Sequence, residues 1–323
     1  MTPATAPNPP ALLAVDWGTS SLRAALLDER GGVLDQHASA RGLVAIPAGG
    51  WAAAFDAEFG GWMARWPGLL CLMSGMVGSR QGWAEVPYCA APADLVDLVR
   101  GLLWLQPGRL AIVPGVSVQA AHVDCAAPAD DTLRAVPDVM RGEETQVMGA
   151  LALQGLSDAT LVLPGTHSKW VTVHGGRISD LRTAMTGECY ALLRRQSILA
   201  RGLPEAEPPL HAAAFDLGVQ RARAPGGLLH HLFGVRTLAL FERLCAADLA
   251  SYLSGLVIGE EMRAQLQAVA APGGIHRPVL LVGDDALTAR YQRALGLWGV
   301  AATRIGAEAG WRGLWALRRS MAM

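Results

Sequence analysis

The stretch that decides the fold is LLAVDWGTSSLRAALLDERGGVLDQHASA, residues 12–40, read with its counterpart TLVLPGTHSKWVTVHGGRISDLRT, residues 160–183. In the first, an apolar run ends in Asp16 and a Gly18-Thr19-Ser20-Ser21 turn. Leu22, Ala24 and Leu26 then alternate as in a strand, Gly31-Gly32 supplies turn dihedrals, and VLDQHASA reads as a third strand. The second stretch repeats that order 147 residues on (Gly165 against Gly18), with Gly165-Thr166-His167-Ser168 as its first turn and Gly175-Gly176 as its second. Gly and Ser populate turns everywhere, so two β-meanders can share turn chemistry by chance. The repeated order predicts instead an internal duplication at about half the chain length.

Between the copies, residues 51–66 read as an amphipathic helix, LLCLMSG as a buried strand, ADLVDLVRGLLW as a helix and RLAIVPG as a strand. This βββαβαβ order predicts an α/β domain with a mixed sheet. Residues 124–138 read as a loop, and RGEETQVMGALAL (141–153) as a helix with two carboxylates in its first turn, where the dipole favours them. Further helices are expected at 186–196 and from 246 to about 268. PVLLVGDDALTARYQRAL gives strand, glycine turn and helix, GVAATRI a last strand, and AEAGWRGLWALRR a closing helix.

The chain has 323 residues, long for one compact core and suited to two domains. With 51% hydrophobic and 17% charged residues it is not a disordered chain. A net charge of −1 without a basic stripe argues against a nucleic-acid partner. No apolar run approaches membrane-spanning length, and MTPATAPNPP is no signal peptide. Cys71, Cys89, Cys125, Cys189 and Cys245 are dispersed, with no C-x-x-C pair, which suits free thiols in the cytoplasm.

Asp16, followed by Gly18, Thr19 and Ser20, suits Mg²⁺ bound through water beside phosphate oxygens; it equally suits the cap of a hairpin turn. The matching Gly165-Thr166-His167-Ser168 turn favours the first reading, since two Gly-Thr turns can hold a polyphosphate from both sides of a cleft. Of 27 basic residues only Lys169 is lysine, and it directly follows the second turn. A compact ammonium on a flexible stem suits a phosphate there, although an ion pair would also explain it. Glu143 or Glu144 within reach of a substrate hydroxyl would serve as general base; the helix dipole alone also accounts for both. Gly283-Asp284-Asp285, between a strand and a helix, can receive a nucleotide or be purely structural. The apolar glycine loop SGMVGSRQGW, with Gly75, Met76 and Arg80, either lines a small pocket or packs tightly. The histidines show no ligand spacing, and no G-x-S-x-G elbow is present.

In order, DWGTSSLRA, SGMVGSRQGW, VMRGEETQ, PGTHSKWV and LTARYQRA resemble the 2-dehydro-3-deoxygalactonokinase family, over residues 12 to about 317. The pair MRGEETQ and PGTHSKW carries the specificity of that resemblance. It implies two duplicated ribonuclease-H-like domains of the actin-like ATPase and sugar-kinase fold around a nucleotide cleft. Expected are an N-terminal domain 11–140, a C-terminal domain 141–307, and a helix 308–323 returning to the N-terminal one. The implied activity is ATP-dependent phosphorylation of 2-dehydro-3-deoxy-D-galactonate at its 6-hydroxyl, in galactonate breakdown. Carried over, Asp16 orients Mg²⁺, Gly18, Thr19 and Ser20 form one phosphate loop, and Gly165, Thr166, His167, Ser168 and Lys169 the other. The superfamily places its catalytic acid at 141–145, which makes Glu143 the base and Glu144 second. Arg23, Arg80 and Arg182 are candidates for the substrate carboxylate, with Gly75, Met76 and Arg141 beside the sugar acid. Gly283 and Asp284 take the nucleotide. The superfamily has small residues after that glycine; Asp284 and Asp285 here suit ribose hydroxyls or a shifted adenine. The expected partners are the sugar acid and ATP, and a homodimer is compatible with the sequence. A polyphosphate or nucleotide phosphatase is one alternative, because a Gly-Glu-Glu segment also suits activation of water. A non-catalytic, nucleotide-gated regulatory protein is another; it needs an interaction surface or DNA-binding segment.

Overall fold

The computed structural model describes residues 9–118, 136–269 and 277–322. The chain opens with the expected meander: β1 (Leu12–Trp17), β2 (Leu22–Leu27) and β3 (Val33–Ser39), each antiparallel to the next. Then come α1 (Trp51–Arg65), β4 (Leu70–Gly75), β5 (Cys89–Ala90), α2 (Leu95–Arg100), β6 (Leu103–Gln106), β7 (Leu110–Ile112) and β8 (Val116–Val118). After β9 (Asp138–Met140) and α3 (Glu143–Gln154), a second meander follows as β10 (Ala159–Leu163), β11 (Ser168–His174) and β12 (Arg177–Ala184). The helices α4 (Thr186–Gln196), α5 (Ala212–Arg221), α6 (Gly227–Leu240) and α7 (Ala246–Val269) precede β13 (Val279–Val282), α8 (Asp285–Leu297), β14 (Ala302–Ile305) and α9 (Glu308–Met321).

The duplication is visible in the sheets. One runs β3-β2-β1-β4-β7-β6 and the other β12-β11-β10-β13-β14. Both place the meander first, with its opening strand parallel to the next crossover strand: β1 with β4, β10 with β13. The first sheet adds the edge strand β6, which corrects the helix expected over ADLVDLVRGLLW. Asp94 caps α2 and Gly101 ends it, and Leu103 to Gln106 then pair antiparallel with β7. The helices α5 and α6 and a small sheet, β5-β8-β9, complete what the sequence reading left out. The loop expected at 124–138 lies outside the described residues as far as 135, and Asp138 opens β9.

The chain divides into two units. One holds the described residues of Met1–Ser157, Val171–Leu181 and Ala307–Met323, the other Asp158–Trp170 and Arg182–Gly306. The first unit thus runs to Ser157 rather than to 140, because α3 packs with α9 inside it. Gly149 and Gly313 let the two helix backbones touch: a Cβ on Gly313 would run into the Thr145 carbonyl, and one on Gly149 would stand 2.6 Å from the Gly313 nitrogen. On the opposite elements of this unit, Trp51, Phe55, Phe59 and Met63 form the buried stripe of α1, and the Trp17 ring meets that of Trp51 edge-on at 5.1 Å. In the second unit α5 crosses α7 at Gly218 and Gly255 by the same device. Its core gathers Val162, Trp170, Phe215, Ile258, Met262 and Leu281. Among the described residues no helix is long and apolar enough to cross a membrane.

Candidate active site

In the first unit the chemistry collects where β1, β4 and α3 meet. Asp16 sits second from the end of β1, directly opposite Arg23 on β2 and Ser74 on β4. Gly75, at φ +93°, closes β4 beside it; a Cβ there would stand 2.7 Å from the Trp17 carbonyl and 3.3 Å from Asp16 Oδ1. Gly142, at φ +108°, comes equally close, since its Cβ would lie 3.1 Å from the Gly75 Cα. Both positions require glycine for conformation and space, and together they bring the N-terminus of α3 to Asp16. That helix has no side-chain cap from Gly142. Its own acids take the upstream donors: Arg141 N–H donates to Glu143 Oε2 (3.0 Å) and Gly142 N–H to Glu144 Oε2 (2.7 Å).

The two neighbouring glutamates part company here. Glu144 is 0% exposed, and its Oε1 has no hydrogen-bond partner among the described residues. Burial and the nearby Glu143 push its carboxyl up to about 8, against the pull of the backbone donors and Arg141. Glu143 remains half-buried. The half-buried Asp16 carboxyl is raised to about 6 by desolvation and then by repulsion from Glu143, with Arg23 opposing. Asp16 is a hard carboxylate of the kind that suits Mg²⁺, and a cation there would offset the repulsion from Glu143. Among the described residues no three His, Cys, Asp or Glu side chains gather into a metal centre, so such a cation would complete its shell with water and phosphate.

Gly18 N–H closes the first turn on the Ser21 carbonyl, and the Gly18 and Thr19 carbonyls accept from Leu43 and Val44, leaving Thr19 and Ser20 exposed. Met76 is half-buried in the 3-10 turn after β4. Arg141 lays its guanidinium over Tyr88 (4.2 Å) and donates to the Val86 carbonyl, a structural contact. Arg80 reaches solvent with an 87% exposed side chain, paired with Glu85.

The second turn is carried by α4. Glu188 N–H donates to the Thr166 carbonyl, the Glu188 carboxylate meets His167 Nε2 at 2.5 Å, and a Cβ on Gly187 would stand 2.9 Å from the Thr166 Cα. Thr166 and His167 are exposed. Ser168 is 0% exposed, its hydroxyl bonded to that of Tyr291 at 2.7 Å. Lys169 is 8% exposed, with Nζ donating to Thr183 Oγ1 (2.8 Å). Arg182 is exposed on β12. Gly283 has φ +140°, and Asp284 caps α8 by accepting from the Ala286 and Leu287 N–H groups.

A cavity of about 240 Å³ lies in the second unit, bordered by Gly165 and Thr166 of the turn. Tyr190, Val257, Ile258 and Leu287 supply its apolar lining, Ser254 and Arg290 its polar groups. Sequence reading missed it because its residues come from three helices and a turn. The one local signal was LTARYQRA, which holds Leu287, Arg290 and Tyr291.

A family model described as 2-keto-3-deoxy-galactonokinase matches residues 16–317. The chain is 35% identical over 316 residues to a probable 2-dehydro-3-deoxygalactonokinase of Rhizobium meliloti, covering 94% of this chain and 97% of that one. It is 34% identical to the 2-dehydro-3-deoxygalactonokinase of Escherichia coli, over 92% and 93% of the two chains. A crystal structure of a Sinorhizobium meliloti protein assigned as a 2-dehydro-3-deoxygalactonokinase superposes with a TM-score of 0.83 at 34% identity, covering 96% of this chain and 99% of that one.

Proposed function

This chain belongs to the 2-keto-3-deoxy-galactonokinase family, and from that premise we propose that it transfers the γ-phosphoryl group of ATP to the 6-hydroxyl of 2-dehydro-3-deoxy-D-galactonate, in the breakdown of D-galactonate. The observation that carries the residue assignment is the half-buried Glu143 at the N-terminus of α3, electrostatically coupled to Asp16.

Glu143 takes the hydroxyl proton. Its solvent access supports it over Glu144, which is enclosed and holds its own proton at neutral pH. Asp16 fits a Mg²⁺ that would neutralise charge on the phosphoryl oxygens, which leaves Glu143 free to act as base. Arg23 is the guanidinium in register with Asp16, which supports it for the substrate carboxylate; Arg80 has Glu85 for a partner. Gly75 and Met76 border the sugar acid. In the second unit the turn at Gly165 and the exposed Thr166 receives phosphate, and the adjoining cavity takes the nucleoside. Lys169 adds fixed positive charge behind that turn, and Gly283 leaves the mouth of α8 free of a side chain.

The test is ADP release from MgATP with 2-dehydro-3-deoxy-D-galactonate, with its gluconate epimer, and with neither. Release that depends on the galactonate compound is expected. Release indifferent to any sugar acid would sink the kinase reading in favour of a phosphatase.

A further inference from the structure

Glu261 lies on α7 in the second unit, 5% exposed and bonded to Trp170 and Tyr291 of the apolar core, an environment in which a carboxyl group is costly. No part of the chemistry above uses it, and it does not border the cavity. Three donors from three separate segments nonetheless converge on it. Trp170 Nε1 of β11 donates to Oε1 (2.6 Å), while the Tyr291 hydroxyl of α8 (2.6 Å) and the Thr186 hydroxyl at the start of α4 donate to Oε2. The Tyr291 hydroxyl also bonds to that of Ser168 (2.7 Å), the last residue of the phosphate turn. Burial raises the Glu261 carboxyl, and the donors partly offset that shift.

Thr186 and Tyr291 both line the cavity, as does Gly187, which packs on the Gly165-Thr166 turn. We propose that Glu261 is a positioning residue for nucleotide: from behind the wall it fixes Thr186, Tyr291 and, through Ser168, the root of the phosphate turn. The idea rests on the nucleotide reading of the cavity and deepens it. An apolar residue would fill the same volume, but only an acceptor common to all three donors holds these segments in one register.

Glu261→Gln keeps the shape and turns one acceptor into a donor, so at least one of the three bonds is lost. Binding of a non-hydrolysable ATP analogue, measured by calorimetry, should weaken about tenfold, with a parallel rise in KM for ATP. KM for the sugar acid should move less than about twofold, a split that general loss of stability does not produce. If the variant does not fold, Trp170→Phe removes one donor from a residue outside the cavity lining and should weaken the analogue by about threefold. A folded variant that binds the analogue as the wild type does, or that loses sugar-acid and nucleotide affinity alike, overturns the proposal. A wild type that takes up no analogue removes the nucleotide reading and this proposal with it, whereas wild-type binding with an unaffected variant removes this proposal alone.

Discussion

Glu143 and Glu144 differ by one position, yet one meets solvent and the other does not, and that difference sets their chemistry. Glu143→Gln should lower kcat by about 10² or more while KM for the sugar acid changes little, since the amide keeps the shape and cannot take a proton. Steady-state kinetics decide it, and near wild-type turnover would move the role elsewhere. For Glu144 the expected effect is on stability. Its folded-state carboxyl titrates near 8 against an ordinary 4.5, so between those values the folded protein keeps a proton that the unfolded chain has released. Stability therefore falls as pH rises through that window. Glu144→Gln removes the titration and keeps an oxygen for the Gly142 N–H, so its Tm advantage over wild type should grow from pH 5 to pH 8.5. Thermal unfolding at both values checks this; a difference independent of pH would contradict the assignment.

The elements that aim these residues are held by glycines. Gly149 and Gly313 allow α3 and α9 to meet backbone to backbone, and the first turn of α3 is the part that carries the acids. Gly313→Ala would drive a methyl group into the Thr145 carbonyl, and overpacking of this kind costs about 1–3 kcal/mol. A Tm lower by several degrees is expected, with kcat falling further than stability explains because the helix must shift. An unchanged Tm would mean that the two helix backbones do not meet this closely. The two meanders were readable at this scale, because alternation, turn residues and Gly-Gly pairs are local properties of the chain. The helix expected over ADLVDLVRGLLW failed in its second half, since pairing with β7, a tertiary event, outweighed helical propensity. The cavity left no run in the sequence, as its lining is drawn from residues 165 to 291.

For the whole molecule, the last helix returns to the first strand. In α9, Leu314 and Leu317 are fully buried, Trp311 and Trp315 nearly so, and Arg318 bonds to the Ala11 carbonyl and to Glu29. Burial of each large apolar side chain contributes about 1.5–3 kcal/mol, and whole domains have only about 5–15 kcal/mol of net stability. A chain ending at Gly306 should therefore lose the native near-UV circular dichroism of the first unit, bind a hydrophobic dye and show no sugar-acid-dependent ADP release. A truncated chain with native spectra and activity would refute this dependence.

By itself the sequence determined the duplication, both Gly-Thr turns and the carboxylates near them, because strand alternation and turn chemistry depend on adjacent residues. The recurrence of one pattern 147 residues on made the two-sheet plan explicit. Only the tertiary structure decided which glutamate is enclosed, where the first unit ends, and that Glu261 gathers donors lying as much as 91 positions away. Burial and hydrogen-bond partnership are set by residues distant in the chain, and no local pattern encodes them.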